Sequence, residues 1–179
     1  MRRERLRDPG GTAMYLSPHD HRIFGRGHYL RIELSKVLCW ELRGSRVADL
    51  SCGNGLLAQS LKAEETVLGD LAPGWPVTGP IEETVAVLDP VDLFICSETA
   101  EHVDDPDALL AAIRARSRRL FLSTPVEAWG DANGEHVWCW DREAVEAMLT
   151  GAGWTVDVFA ELDSTVFGEP YRYGMWGCR

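Results

Sequence analysis

The stretch Val47-Ala48-Asp49-Leu50-Ser51-Cys52-Gly53-Asn54-Gly55-Leu56-Leu57 decides the fold of this chain. An apolar run ends in an acid, a turn of small residues follows, and a second apolar run can begin a helix. This is the strand–turn–helix pattern of nucleotide-type sites. Gly53 and Gly55 lack a Cβ atom, so the backbone of the turn can approach a ligand closely. The free N–H groups of the new helix point into the same crevice, and the pattern therefore predicts a ligand site here.

A second acid strengthens this prediction. Thr66-Val67-Leu68-Gly69-Asp70 has the composition of a buried strand that ends in Asp70. In doubly wound sheets, an acid about 20 residues past a glycine turn binds a ribose hydroxyl. Two unrelated acids at the ends of two strands remain the alternative interpretation.

The turn resembles the first motif of the class I S-adenosylmethionine-dependent methyltransferases, D-x-G-x-G-x-G, with Ser51 in place of the first glycine. The resemblance runs from about Val47 to the C-terminus. It implies S-adenosylmethionine as the cofactor and an acceptor that is bound beside it. The cofactor-binding residues it implies are Asp49, Ser51, Cys52, Gly53, Asn54, Gly55, Asp70, Leu71, Ile81, Glu82, Ser97 and Glu98.

Apolar runs and helical patterns alternate along the chain. Strands are expected near residues 66–70, 77–78, 91–96 and 119–125, and helices over residues 29–40, 56–64 and 82–88 and after Asp105 and Asp141. Two prolines and a glycine at 73–76 exclude a helix after Asp70, and we expect Trp75 to cover an edge there. Segments 154–159 and 171–176 are expected to form an antiparallel edge hairpin. The prediction is an α/β fold with a doubly wound, mainly parallel, Rossmann-like sheet.

The length of 179 residues predicts a single domain. We expect residues 1–13 to be a disordered charged tail, 14–46 an N-terminal lid that touches substrate, and 47–179 the Rossmann-like core. Candidates for substrate contact in the lid are Tyr15, His19, His21, Arg22, Arg26 and His28. Exposed polar residues on a flexible lead-in remain an equal alternative for these six.

Composition excludes several classes of protein. The chain has no apolar run of membrane-spanning length and no signal-peptide pattern, so we expect no membrane partner. Five scattered cysteines without a C-x-x-C pair argue against a disulfide framework or a structural zinc site and favour the cytoplasm. The net charge of −10 is concentrated after residue 46, and an acidic body repels polyanions such as RNA.

The candidate acceptor chemistry follows the fourth and fifth core strands. Glu98, Glu101 and His102 share one face if their segment turns helically, and His136 can reach the same edge. His102 and His136 are the candidate catalytic bases. Together, Glu98, Glu101, His102 and His136 are a candidate site for a divalent metal, Mg²⁺ or Mn²⁺ before Zn²⁺. The structural alternative is that His102 packs or caps and that both glutamates are merely exposed.

This E-x-x-E-H segment followed by a histidine is similar to the metal site of the small-RNA 3′-end 2′-O-methyltransferases. Its first half also resembles the ubiquinone-pathway O-methyltransferases. Three functional hypotheses follow. The first is methyl transfer to a hydroxyl or amine of a small molecule, and the second is metal-dependent 2′-O-methylation of RNA. The third is a methyltransferase-like binding protein without activity, for which Ser51 and the missing helix after Asp70 argue.

Overall fold

A computed structural model describes residues 1–9, 17–20 and 25–179. Strands β1 to β5 are Arg3–Arg5, Arg46–Asp49, Glu65–Asp70, Val77–Thr78 and Val91–Ser97. Strands β6 to β9 are Ser117–Val126, Trp138–Trp140, Val156–Asp163 and Arg172–Cys178. Helices α1 to α5 are Arg26–Leu42, Leu56–Ser60, Ile81–Ala86, Pro106–Arg116 and Arg142–Gly151, and short 3₁₀ turns span Ala100–His102 and Ser164–Phe167.

The core is a seven-stranded sheet in the order β4-β3-β2-β5-β6-β9-β8. The five strands from β4 to β6 are parallel, whereas β9 runs antiparallel to both β6 and β8. Two apolar clusters cover opposite faces of the sheet, one with Leu109 and Leu149 and the other with Leu57 and Phe121. The predicted fold, a doubly wound sheet with an antiparallel edge hairpin, is confirmed.

Local sequence signals place the starts of helices α4 and α5. The side chain of Asp105 accepts a hydrogen bond from the Ala108 N–H (3.0 Å), and Pro106 occupies the first position of α4. Asp141 caps α5 in the same way through the Ala144 N–H (2.8 Å). Such caps satisfy backbone donors that a helix start leaves without partners. Both predicted starts are therefore confirmed.

Helix α2 is shorter than the sequence indicated. It ends at Ser60 instead of Glu64, because Lys62 adopts a left-handed backbone conformation with φ of 49°. Residues 71–76 form the loop that the prolines predict, and the two-residue strand β4 follows at Val77–Thr78, as expected.

The expectation of a disordered tail over residues 1–13 is wrong for Arg3–Arg5. This segment forms β1, which pairs antiparallel with β7 in register Arg3 to Trp140 and Arg5 to Trp138. Arg3 bonds Asp107 and Arg5 bonds Asp104, and the Arg3 guanidinium lies 4.2 Å from the centre of the Trp138 ring. The arginines that suggested disorder thus pair with aspartates of the acidic body. We call residues 1–9 the N-terminal strap; residues 10–13 lie outside the described part of the chain.

Within residues 1–9, 17–20 and 25–179, no helix combines the length and the apolar character that a membrane crossing requires.

Candidate active site

A cavity of about 420 Å³ lies at the carboxyl ends of β2, β3, β5 and β6. Parallel sheets bind ligands at this edge, where the strand order reverses. Eight of the twelve predicted cofactor residues line the cavity: Ser51, Gly53, Asp70, Leu71, Ile81, Glu82, Ser97 and Glu98. Asp49, Cys52, Asn54 and Gly55 are not among its lining residues.

The glycine turn and Asp70 form one hydrogen-bonded unit. The Asp70 carboxylate accepts from the Gly53 N–H (2.8 Å) and from the Ala72 N–H (2.9 Å). Gly53 and Gly55 have φ of 53° and 72°, a conformation that favours glycine. Ser51 has no such positive φ, so serine fits this position. Its hydroxyl bonds that of Thr99 (2.7 Å), which ties the turn to the end of β5.

Trp75 covers the outside of the turn, in keeping with its predicted role at an edge. Its indole N–H donates to the Gly53 carbonyl (2.7 Å), and a Cβ atom on Gly55 would lie 3.1 Å from its ring. Asn54 does not line the cavity, and its amide donates to Asp20 (2.8 Å). Gly55 and Asn54 therefore shape the turn from outside the cavity wall.

Asp49 and Cys52 lie beneath the turn. Asp49 is 3 % exposed, and its carboxylate accepts from the Ser51 N–H (3.3 Å). Burial raises the pKa of Asp49 to about 7, and the neighbouring Asp70 adds to the rise. Cys52 is buried, and its backbone N–H donates to the Gly69 carbonyl (2.9 Å), which joins the turn to β3.

At the far end of the cavity, three of the four predicted metal ligands lie close together. Ligand atoms of Glu101, His102 and His136 all lie within 4.8 Å of one another. Glu98 is not part of this group, because its carboxylate accepts from the Ser123 hydroxyl (2.8 Å) and lies 3.7 Å from Arg31. Glu98 has φ of 51°, a strained conformation for a residue with a side chain.

Both histidines are held through Nδ1. His102 Nδ1 lies 3.0 Å from the Glu135 carbonyl oxygen, and His136 Nδ1 lies 2.6 Å from an Asp131 carboxylate oxygen. Both oxygens can only accept, so these contacts assign the proton to Nδ1 and the lone pair to Nε2 on each ring. Asn133 donates its amide to His136 Nε2 (3.1 Å).

Burial shifts the pKa values of His102 and Glu101 at this end of the cavity. It lowers the pKa of His102 to about 4, with His136 as a second cause, so His102 is neutral at pH 7. Burial, together with the charge of Glu98, raises the pKa of Glu101 well above its usual range. Thr124 donates to one Glu101 oxygen (3.1 Å), whereas the buried Oε1 has no hydrogen-bond partner among the described residues.

Sequence reasoning missed Asp131 and Arg31. Asp131 precedes His136 by five residues in a loop, and only the fold shows that the two meet. Arg31 is fully buried and lines the cavity. Its signal was a face of α1 on which Gly27, Arg31, Ser35 and Cys39 follow at intervals of four, an arginine among small residues.

Of the six N-terminal candidates for substrate contact, some line the cavity and others do not. His19 and His28 line the cavity, as a substrate-contact role requires. Arg26 is exposed, with its guanidinium 5.3 Å from the centre of the Phe167 ring. Tyr15, His21 and Arg22 lie outside the described residues.

Comparison with known proteins agrees with this architecture. A family model described as a methyltransferase domain matches residues 20–157. A ubiquinone biosynthesis O-methyltransferase of Xanthomonas euvesicatoria is 36% identical over 107 residues, which cover 47% of this chain and 44% of that protein. The chain thus spans less than half the length of this curated relative.

Solved methyltransferases share the fold at low sequence identity. Small RNA methyltransferase HEN1 superposes with a TM-score of 0.69 at 20% identity, over 87% of this chain and 26% of that one. Magnesium protoporphyrin IX methyltransferase from Synechocystis PCC 6803, with bound S-adenosylhomocysteine, gives 0.66 at 15% identity, over 85% and 83%. 1,6-Didemethyltoxoflavin-N1-methyltransferase from Burkholderia thailandensis gives 0.65 at 17% identity, over 90% and 93%.

The family match covers well over half of the chain, and it agrees with the strand order and the glycine turn. This chain therefore belongs to the methyltransferase domain family, among the class I S-adenosylmethionine-dependent methyltransferases.

Proposed function

We propose that this protein transfers the methyl group of S-adenosylmethionine to a hydroxyl group of a small molecule. The single observation that carries the proposal is one continuous cavity, lined at one end by Gly53 and Asp70 and at the other by His102 and His136. We assign the cofactor to the first end, with its ribose at Asp70, and the acceptor to the second. Ile81 and Glu82 then border the adenine.

Methyl transfer from a sulfonium is an in-line displacement. The acceptor oxygen forms a bond to the methyl carbon while the carbon–sulfur bond breaks, and sulfur leaves as a neutral thioether. The protein must hold donor and acceptor in line and take the hydroxyl proton. We assign that proton to Nε2 of His136, where the acceptor hydroxyl replaces the Asn133 amide as the hydrogen-bond donor, because Asp131 stabilises the imidazolium that forms. Neutral His102 accepts a hydrogen bond from the acceptor through its Nε2 lone pair.

The test is transfer of a labelled methyl group. The protein is incubated with S-adenosylmethionine and a panel of hydroxylated and amino compounds, and binding of S-adenosylhomocysteine is measured by calorimetry. We expect S-adenosylhomocysteine to bind and His136→Asn to lower kcat at least about 100-fold, within the usual contribution of a general base. Failure to bind either nucleoside would favour the non-catalytic hypothesis.

A metal-dependent reaction on RNA 2′-hydroxyls is the second candidate, and one observation favours it. Glu101 Oε1 is a buried oxygen without a hydrogen-bond partner among the described residues, beside His102 Nε2 at 3.8 Å. Both histidines also donate Nδ1–H to an oxygen, as metal-bound histidines usually do. These residues fit a divalent cation, although one carboxylate and two imidazoles are less oxygen-rich than the four-residue set predicted from sequence. A bound cation would lower the pKa of the acceptor hydroxyl.

Titration with Mn²⁺ separates the two candidates. On the metal hypothesis Mn²⁺ binds the wild type, and His136→Asn weakens that binding at least about tenfold, whereas Glu98→Gln does not. Methyl transfer to RNA ends then stops in EDTA. Absence of Mn²⁺ binding, or a rate on RNA that EDTA leaves unchanged, would remove this candidate. The acidic body of the chain already argues against a polyanionic substrate.

A further inference from the structure

We propose that Arg7 in the N-terminal strap is a positioning residue for methyl transfer, because its guanidinium holds the loop in which Asp131 and His136 meet. This loop spans residues 127–137, between the last residue of β6 and the first residue of β7, and we call it the His136 loop. The inference rests on the proposed function, in which His136 takes the proton of the acceptor hydroxyl.

Two backbone carbonyls of the His136 loop accept hydrogen bonds from the one guanidinium. Nη2 of Arg7 donates to the Asp131 carbonyl oxygen (2.8 Å), and Nη1 donates to that of Asn133. These partners lie 124 and 126 residues from Arg7 in the chain. The planar guanidinium fixes the directions of its N–H groups relative to one another. One side chain therefore holds both carbonyls in one orientation.

Charge pairing does not account for this contact. The neighbouring strap residues Arg3 and Arg5 pair with aspartates of the body, whereas Arg7 forms no ion pair with a carboxylate of residues 1–9, 17–20 or 25–179. The chain has a net charge of −10, so carboxylates are abundant. An arginine that bonds carbonyls in such a chain acts on the geometry of the backbone that it contacts.

The contact fixes the backbone of Asp131, whose carboxylate already has three partners. Its Oδ1 accepts from the Tyr171 hydroxyl (3.1 Å) and from the Asn133 N–H (2.8 Å). Its Oδ2 lies 2.6 Å from Nδ1 of His136. Tyr171 and the turn at Asn133 thus orient the carboxylate, and Arg7 holds the backbone that carries it.

The position of this pair decides whether Nε2 of His136 faces the acceptor. The side chains of Asp131 and His136 are only 7 % and 8 % exposed, so contacts with protein atoms set their orientation. Residues 127–137 contain no helix or strand, and the loop depends on side-chain contacts for its shape. A displacement of about 1 Å at a reacting group can lower a rate about 100-fold.

The register of the strap sets where Arg7 meets the loop. Strand β1 pairs antiparallel with β7. The Leu6 N–H continues this ladder by one residue, because it donates to the Val137 carbonyl (2.8 Å). The next position in the same register places Arg7 opposite His136. Strand pairing therefore brings the guanidinium to the His136 loop.

The test observes the Nδ1 proton of His136 by NMR, in protein labelled isotopically at its histidine nitrogens. A proton between Nδ1 and a carboxylate oxygen 2.6 Å away should resonate far downfield and exchange slowly with water. The signal is assigned by its loss in His136→Asn. In Arg7→Gln we expect its exchange rate to rise at least about tenfold, because the loop loses two hydrogen bonds. The affinity for S-adenosylhomocysteine, measured by calorimetry, should stay within about twofold.

Kinetics give a second readout. For an acceptor that the methyl-transfer panel identifies, kcat should fall at least about tenfold in Arg7→Gln. KM for S-adenosylmethionine should stay within about twofold, because Arg7 does not contact the cofactor end. A loss of folded protein alone would lower the apparent kcat without a change in the His136 signal of the folded molecules.

Arg114→Gln is the matched control. Arg114 likewise donates to two backbone carbonyls, those of Gly153 (3.2 Å) and Ser117 (3.1 Å), and none of these three residues lines the cavity. Its substitution should leave the exchange rate of the His136 proton within about twofold of the wild type. Arg7→Lys keeps the charge without the planar fork and should raise that rate at least about threefold. This variant decides the question if Arg7→Gln does not fold.

Three results would overturn the inference. The first is a wild type without a protected Nδ1 proton on His136, which would show that the pair with Asp131 is not held. The second is an exchange rate that neither Arg7 variant changes. The third is an equal rise in Arg114→Gln, which would indicate a general loosening of the fold. A wild type that does not bind S-adenosylhomocysteine would instead refute the proposed function, and the NMR comparison would still decide whether Arg7 holds the loop.

Discussion

The two ends of the cavity are built in different ways. At the cofactor end, the backbone N–H groups of Gly53 and Ala72 donate to the carboxylate of Asp70, and Gly53 and Asp70 are 17 residues apart in the chain. At the acceptor end, distant segments meet: Arg7 and Asp131 are 124 residues apart, and His102 and Glu135 are 33 apart. The first end is a local motif of the chain, whereas the second is a product of the whole fold.

This difference explains what a change at each end should do. The cofactor end depends on a few hydrogen bonds between backbone N–H groups and Asp70. Substitutions there should therefore alter cofactor binding and leave the acceptor end intact. The acceptor end is also reached by the N-terminal strap, since Pro9 lines the cavity and Arg7 bonds the backbone carbonyls of Asp131 and Asn133. Variants of the strap should therefore alter only the acceptor end.

The largest expected effect is that of Asp70→Ala. The substitution removes the proposed ribose partner and leaves the Gly53 and Ala72 N–H groups without their acceptor. We expect affinity for S-adenosylhomocysteine to fall at least about 100-fold, or about 2.7 kcal/mol, measured by calorimetry. Asp89→Ala removes an acid of similar charge from an exposed position and should bind normally. Unchanged binding in Asp70→Ala would place the nucleoside elsewhere.

Asp49→Asn tests the cofactor end through stability. Between the ordinary aspartate pKa of 3.8 and the value of about 7 that burial imposes on Asp49, the folded chain binds more protons than the unfolded chain. The free energy of unfolding therefore falls as pH rises through this window. Asparagine carries no charge to desolvate and can still accept from the Ser51 N–H, so the variant should escape this loss.

We expect Asp49→Asn to be about 2 kcal/mol more stable than the wild type at pH 8 and to differ little from it at pH 4. Urea unfolding at both pH values measures this. His102, with its pKa near 4, titrates in an overlapping range with the opposite sign, and it cancels when the variant is compared with the wild type. Asp89→Asn is the control at an exposed site. A gain that is the same at both pH values would contradict the assigned cause.

What the sequence could predict follows the same division. The sheet and the caps at Asp105 and Asp141 depend on neighbours in the chain or on strand periodicity, and both were predicted. The hydrogen bond between Gly53 and Asp70 was not predicted. Pairing of Asp131 with His136 and the burial of Arg31 depend on how loops and α1 pack, which periodicity does not encode. The strap was mistaken for a tail because its arginines find partners only on the folded body, at Asp104 and Asp107.

Trp75→Phe should weaken the cofactor end more modestly. Phenylalanine keeps a ring against Gly55 but cannot donate to the Gly53 carbonyl (2.7 Å in the wild type). One such hydrogen bond contributes about 1 kcal/mol, so we expect affinity for S-adenosylhomocysteine to fall about fivefold. Trp40→Phe, at an exposed tryptophan of α1, is the matched control. If both variants bind equally well, Trp75 only shields the turn.

The smallest expected effect is that of Arg5→Gln in the strap. Arg5 pairs with Asp104, which lines the acceptor end, and their side chains are 38 % and 66 % exposed. Solvent weakens such a pair, so we expect a loss of about 0.5 kcal/mol in the free energy of unfolding that nearly disappears in about 1 M salt. Hydrogen exchange should increase at β1 and β7, while affinity for S-adenosylhomocysteine stays constant. Lys36→Gln, whose partner Glu33 lies on the same helix α1, is the control for an ion pair within one segment. Weaker cofactor binding in Arg5→Gln would show that the two ends of the cavity are coupled, because the strap has no described contact with the glycine turn through which such an effect could act directly.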